Sequence, residues 1–183
     1  MVVIRGMGGQ GKSQVALEFC KRTRGKPFDT IFWADASSAS TLNQSLEVVS
    51  ERLGSRSYEM PDANARVQYV IRTLQNWPTH WLIVYDNYDS PFAFGRPLTD
   101  FMPQNNQGMI IVTSRYGDTL NLAEDDCQIE LPGLAEEEAC GLLLKLGRSL
   151  KTDDATTHAR RIVARLGYHA LAIAQAGAYI ATR

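Results

Sequence analysis

The chain has 183 residues, of which 44% are hydrophobic and 21% charged, and its formal net charge is −1 at pH 7. That length can bury about 70% of the unfolded surface, in one large domain or two small ones. The neutral balance without a basic run excludes a polyelectrolyte partner such as DNA, and no 18-residue apolar stretch or signal peptide is present, so no membrane partner is predicted.

In chain order, Val2-Val3-Ile4 is a short apolar run ending at Gly6. Met1 stands directly against it, which predicts a piece of a longer protein, monomeric by itself. Val15, Ala16, Phe19 and Cys20 share one face of a predicted helix. Thr30 to Ala34 reads as a buried strand, and Leu42, Leu46, Val49 and Leu53 as a helix ending at Gly54. Val67, Val70, Ile71 and Leu74 mark a further helix, stopped before Pro78. Trp81 to Tyr85 and Met109 to Val112 are continuous apolar runs, ending at Asp86 and at Thr113-Ser114-Arg115. Continuous runs fit strands covered on both faces, as in a parallel sheet. Pro91, Pro97 and Pro103 predict an irregular segment from Asn87 to Gly108, with at most one short helix. Gln128 to Leu131 is a short fifth strand.

After Pro132-Gly133 the pattern becomes helical, so a boundary is predicted there: 1–131 and 132–183. Ala139, Leu142, Leu143 and Leu146 mark one helix, with Glu136, Glu137 and Glu138 in its first turn. Ala159, Ile162, Val163 and Leu166 mark a second. The third, His169 to Ala181, is rich in alanine and predicted to pack on several sides. Cys20, Cys127 and Cys140 lack metal-ligand spacing; an odd count fits a reducing, cytoplasmic setting, and all three read as small core residues.

The stretch Gly6-Met7-Gly8-Gly9-Gln10-Gly11-Lys12-Ser13 fits G-x-x-x-x-G-K-[ST] between a strand and a helix. Glycines let successive N–H groups point into one concavity, and the helix opening at Lys12-Ser13-Gln14 adds about half a positive charge. This predicts binding of a nucleoside triphosphate's β- and γ-phosphates with Mg²⁺, Lys12 supplying a mobile charge and Ser13 a metal-ligating hydroxyl. Asp86, at a strand end, is the candidate partner carboxylate for Mg²⁺, or a plain strand-end aspartate. Asp89 either orients an attacking water or makes an Asx turn into Ser90-Pro91. Arg115 ends the next strand at the edge where such sheets bind ligands; it senses a γ-phosphate or makes a surface ion pair. Thr113 and Ser114 are further candidates for phosphate hydrogen bonds. His169 caps its helix or approaches a nucleotide. Trp33 reads as core rather than a base-stacking platform, and His80 and His158 have no partners that suggest a metal site or a triad.

Together these stretches resemble the NB-ARC family of signal-transducing ATPases, of the STAND class and NOD-like receptor type, especially its fungal members. The resemblance rests on Gly6 to Ser13, Phe28 to Ser37, Trp81 to Asp89, Gly108 to Arg115, Leu131 to Leu134 and Gly167 to Ile173. It implies a P-loop α/β fold with a five-stranded parallel sheet in the order 2-3-1-4-5, followed by a helical subdomain. It implies a switch in innate-immune signalling: ADP holds a closed state, and ATP or dATP permits self-association through a full-length receptor, with slow Mg²⁺-dependent hydrolysis. Ala170 stands where the family usually has a proline that packs near the adenine, so His169 and Ala170 are carried over as nucleotide-binding positions. Asn87 takes the place of a second acidic residue, which implies that turnover is slow or depends on Asp89. The competing expectation is a stand-alone P-loop phosphotransferase, a small-molecule kinase; it would require an Arg-bearing lid, and Arg160, Arg161 and Arg165 belong instead to an amphipathic helix. A GTPase would need an N-K-x-D element, which is absent, and a fourth possibility is a domain holding ADP as a structural plug.

Overall fold

The computed structural model describes residues 1–54, 61–104, 107–148 and 152–182. The chain divides into two compact units, Met1–Arg5 with Ser13–Ile129, and Gly6–Lys12 with Glu130–Arg183. The phosphate loop thus groups with the helical part, whereas the sequence places it with the sheet.

The first unit is built on strands β1 (Val2–Arg5), β2 (Thr30–Asp35), β3 (Trp81–Asp86), β4 (Gly108–Ser114) and β5 (Gln128–Glu130). They form a five-stranded parallel α/β sheet of the P-loop type. The spatial order is β2-β3-β4-β1-β5, so the predicted order 2-3-1-4-5 has its two middle strands exchanged. β4 is inserted between β3 and β1, with Val84 beside Ile111 and Val3 beside Val112. The exchange has a physical consequence: it puts the ends of β3 and β4 side by side, where Asp86 and Thr113 share a hydrogen bond. All six residues of β3 are buried, as its unbroken apolar run requires. β2 is an edge strand, and Trp33 on it is 37% exposed, so its predicted place in the core is corrected: an edge strand has neighbours on one side only.

Helix α1 (Lys12–Thr23) follows the loop. Ala16 and Cys20 are buried, but Val15 is exposed, so its inward face is narrower than the sequence predicts. Helix α2 (Ala39–Arg52) starts at a capping box, in which Thr41 N–H donates to Ser38 Oγ at 3.1 Å and Ser38 N–H to Thr41 Oγ1 at 3.0 Å. Helix α3 (Ala63–Gln75) is capped by Asp62, which accepts from Ala65 N–H at 2.8 Å. Leu42, Leu46 and Val49 of α2 and Val67, Val70 and Leu74 of α3 are buried in one cluster with β3, each burial contributing about 1.5–3 kcal/mol. Trp81 locks the start of β3: its indole N–H donates to Leu74 O at 2.9 Å, and a Cβ on Gly108 would fall 2.0 Å from its ring. Only glycine fits at 108.

The irregular segment after β3 contains two short 3-10 turns, Pro91–Phe94 and Leu98–Phe101, rather than at most one short helix; its residues 105–106 lie outside the described ones. Buried Phe94, Leu98, Phe101 and Met102 explain the added order, and the Tyr85 hydroxyl, deep in the sheet, donates to Phe101 O at 2.6 Å. Burial pushes that phenol well above its ordinary range.

The second unit holds helices α4 (Glu136–Leu146), α5 (Asp153–Arg165) and α6 (Ala170–Ile180). Ala139, Leu143, Val163 and Ile173 form its core. Gly177 lets α6 approach α4, since a Cβ there would lie 2.7 Å from Leu146 Cβ. The predicted many-sided packing of α6 does not hold: Leu171 and Tyr179 are exposed, and α6 buries one stripe against α4. Cys20 and Cys140 are buried and Cys127 partly so. Among the described residues no helix is long and apolar enough to cross a membrane.

Candidate functional site

The functional side chains are held at two places, one in each unit, joined covalently at the Lys12–Ser13 peptide bond. At the strand ends of the first unit, the Ser13 hydroxyl donates to Asp86 Oδ1 at 2.7 Å, and the Thr113 hydroxyl donates to the same oxygen. Asp86 is 7% exposed, and a buried carboxylate needs such donors to offset desolvation. Thr113 is more than a spectator: its Oγ1 also accepts Asn87 N–H at 3.0 Å, while Tyr88 N–H reaches Thr113 O at 2.9 Å. Both bonds need the chain to turn sharply after Asp86, and Asn87 makes the turn in the left-handed region at φ 65°. Asparagine tolerates that region far better than most residues, which accounts for Asn87 on conformational grounds.

Asp89 and Arg115, predicted as separate catalytic residues, are partners. Arg115 N–H donates to Asp89 Oδ1 at 2.7 Å and Arg115 Nε to Oδ2 at 2.6 Å. The guanidinium is largely exposed and the carboxylate mostly covered. The Asx-turn geometry predicted for Asp89 is replaced by this bond across to the next strand end. Thr113 and Ser114 do not serve as surface phosphate ligands: both are fully buried, and the Ser114 hydroxyl donates to Tyr88 O while accepting from Tyr116 N–H at 3.0 Å.

In the second unit, the loop Gly6–Lys12 carries the backbone geometry. Gly9 and Gly11 have φ of 78° and 94°, accessible to glycine without penalty. Lys12 Nζ donates to Gly6 O at 2.8 Å and Met7 O at 3.0 Å. The Gln10 side-chain oxygen accepts Met7 N–H, and Gln10 N–H reaches Met7 O at 3.3 Å. Gln14, in the first turn of α1, is exposed, as is Met7.

His169 caps its helix, one of its two predicted alternatives, and also reaches the phosphate loop. Its Nδ1 accepts Ala172 N–H at 3.4 Å, capping α6, and its Nε2 lies 2.6 Å from Gly8 O. A ring whose Nδ1 accepts and whose Nε2 faces a carbonyl is the neutral Nε2–H tautomer, assigned from its partners. Beside it, Leu171 N–H donates to Gly9 O at 3.1 Å. Ala170 takes the first helical position of α6. The Leu171 amide was invisible to sequence reasoning, since a backbone donor carries no residue signature. His80 Nδ1 lies 3.0 Å from Gln107 O, and His158 lies 3.5 Å from Asp154, one turn before it on α5.

Comparison with known proteins places this geometry in a family. Residues 1–152 match the profile of the NB-ARC domain. A nucleotide-binding leucine-rich repeat (NLR)-like protein of the fungus Hyaloscypha variabilis is 26% identical over 202 aligned positions, covering 98% of this chain; the chain spans 19% of that relative's length. Among solved structures, a STAND protein with a tetratricopeptide repeat sensor from Pyrococcus horikoshii superposes with a TM-score of 0.57 at 17% identity, covering 94% of this chain and 26% of that one. The Aeropyrum pernix ORC1 protein, solved in complex with DNA, gives a TM-score of 0.63 at 13% identity, covering 94% of this chain and 51% of that one. At those identities the two structures show a shared fold. The profile match over most of the sequence shows more: this chain belongs to the NB-ARC family of P-loop nucleotide-binding NTPase modules.

Proposed function

We propose that the chain is the ATP/ADP switch module of a larger signalling protein of the NLR type, with slow Mg²⁺-dependent hydrolysis. The observation that carries this reading is the 2.7 Å hydrogen bond between Ser13 and Asp86. It joins the hydroxyl that follows the phosphate loop to the carboxylate at the end of β3. Two oxygens at that separation also suit a metal: with bonds of about 2.0–2.1 Å, neighbouring ligands of octahedral Mg²⁺ lie about 2.9 Å apart. Ser13 and Asp86 would hold the ion, and the ion would neutralise phosphate charge.

Gly6, Gly8, Gly9, Gly11 and Lys12 supply the phosphate cradle. Lys12 would exchange its bonds to Gly6 O and Met7 O for phosphate oxygens. A γ-phosphate would compete with Asp89 for the exposed Arg115 guanidinium, and a diphosphate would leave the pair unchallenged. That is the differential contact a nucleotide switch requires. Slow hydrolysis is supported by Asn87, which follows Asp86 where a second carboxylate would otherwise stand. ATP or dATP would favour self-association of the full-length receptor, and a cytoplasmic setting fits the free cysteines. No nucleic-acid partner is proposed: the DNA in the ORC1 complex belongs to that protein, and this chain has a net charge of −1.

The test is to purify the protein, denature it, and chromatograph the released nucleotide, alongside Lys12→Ala. Recovered ADP from the unsubstituted protein and at least a hundredfold loss of ATP affinity in the variant are expected, the upper range for charge-assisted bonds of about 1.5–3 kcal/mol each. Undiminished ATP affinity in Lys12→Ala would sink the phosphate-loop assignment.

A further inference from the structure

We infer that His169 is a positioning residue for the phosphate loop: its Nε2–H holds Gly8 O and thereby aims the Gly9 amide at the phosphates. This rests on the nucleotide-binding reading above and adds a residue that acts on the ligand through the backbone, without touching it.

A phosphate loop works only if its N–H groups face inward, so its carbonyls must be satisfied elsewhere. Within a trans peptide unit the C=O and N–H point in opposite directions. Gly8 O accepts His169 Nε2–H at 2.6 Å, so Gly9 N–H is turned away from α6. Gly9 O accepts Leu171 N–H at 3.1 Å, so Gln10 N–H also points away from α6, where it meets Met7 O at 3.3 Å. Two consecutive peptide units of the loop are thus oriented from the first turn of α6. The Leu171 amide is available with any side chain, whereas the Gly8 tie depends on the imidazole.

The approach to His169 is itself built for this delivery. Gly167 and Tyr168 both lie in the left-handed region, at φ 59° and 57°, a conformation that a bulky residue such as tyrosine adopts only where its surroundings enforce it. Tyr168 O is held by Leu134 N–H at 2.9 Å. The turn ends with the ring in contact with the loop: a Cβ on Gly9 would lie 2.7 Å from His169 Cε1. The ring's second nitrogen caps α6 through Ala172 N–H, so one side chain fixes both the helix start and the loop.

Those two duties separate by substitution. Asparagine places a polar atom near Nδ1 and is a good N-cap, but it is too short for Gly8 O. Glutamine places an amide nitrogen near Nε2 and can donate to Gly8 O. The experiment titrates ADP and inorganic pyrophosphate into the unsubstituted protein, His169→Asn and His169→Gln, with thermal unfolding of each. One hydrogen bond is worth roughly three- to tenfold in affinity. His169→Asn is expected to lose that factor for ADP and for pyrophosphate alike while its thermal midpoint falls by no more than a few degrees, and His169→Gln to recover both. Full affinity in His169→Asn, equal losses in both variants, or a loss confined to ADP would overturn the assignment; the last would mean that the ring contacts the nucleoside. In the unsubstituted protein, ¹⁵N spectra at neutral pH should show a protonated, pyrrole-type Nε2, and a pyridine-type Nε2 would also overturn it. Absence of any ADP or pyrophosphate binding before substitution would bring down the nucleotide reading itself, and this inference with it.

Discussion

The phosphate loop and the strand-end cluster solve the same problem, holding polar groups ready for an ionic ligand, by opposite means. The cluster is made of side chains. Asp86, Thr113 and Ser13 are fixed by strand register and hydrogen bonds among themselves. The loop is made of backbone. Its groups are fixed by glycine φ values and by ties to α6. A side-chain site therefore depends on which residues are present, and a backbone site on which side chains are absent.

Substitutions can break or sharpen that contrast. The largest effect is expected from adding a side chain to the loop. Gly9→Val meets φ 78° and would set a Cβ 2.8 Å from Leu171 Cβ; the left-handed conformation and overpacking together cost about 2–4 kcal/mol, read by urea unfolding with nucleotide affinity alongside. Unchanged stability would show that the loop takes another path in solution. Next is removal of a side chain from the cluster. Asp86→Ala leaves the buried Thr113 hydroxyl and the Ser13 hydroxyl without their acceptor, at about 2–3 kcal/mol, and should abolish the Mg²⁺-dependent part of ATP affinity. ATP titrations with and without Mg²⁺ check this, and a retained metal dependence would move the metal site away from Asp86. The smallest stability effect belongs to Arg115→Ala, because an exposed ion pair contributes about 1 kcal/mol or less. Its signature is selective: ATP affinity should fall several-fold more than ADP affinity, and equal losses would remove the sensing role of Arg115.

Sequence carried the parts of this fold that are local. β3 is legible because five buried residues in a row, Trp81 to Tyr85, leave an unbroken apolar run, and the helices because Leu42, Leu46 and Val49 or Val67, Val70 and Leu74 repeat at helical spacing. The phosphate loop is legible because its glycines are required by backbone geometry within eight residues. Pairing between distant segments left no such mark. Nothing in the apolar runs of β1 and β4 says which of them lies beside β3, and so the two were exchanged. Asp89 and Arg115 stand 26 positions apart and meet only because β3 and β4 are neighbours. Trp33 has the composition of a core residue, and only the sheet order reveals that β2 is an edge. His169 was visible as a cap, since capping is local, but its bond to Gly8 spans 161 positions.

Position 9 carries one more implication, for how such a sequence can drift. Two separate causes keep it glycine: the φ of 78°, and the ring and branched side chain at 169 and 171. Shrinking those neighbours would remove the second cause and leave the first untouched. A change in α6 can therefore relieve only the crowding at position 9 and leaves the left-handed cost in place, whereas position 169 can be explored so long as Gly8 finds another donor. Descendants of this chain are expected to vary at the histidine and to stay fixed at the glycine it touches.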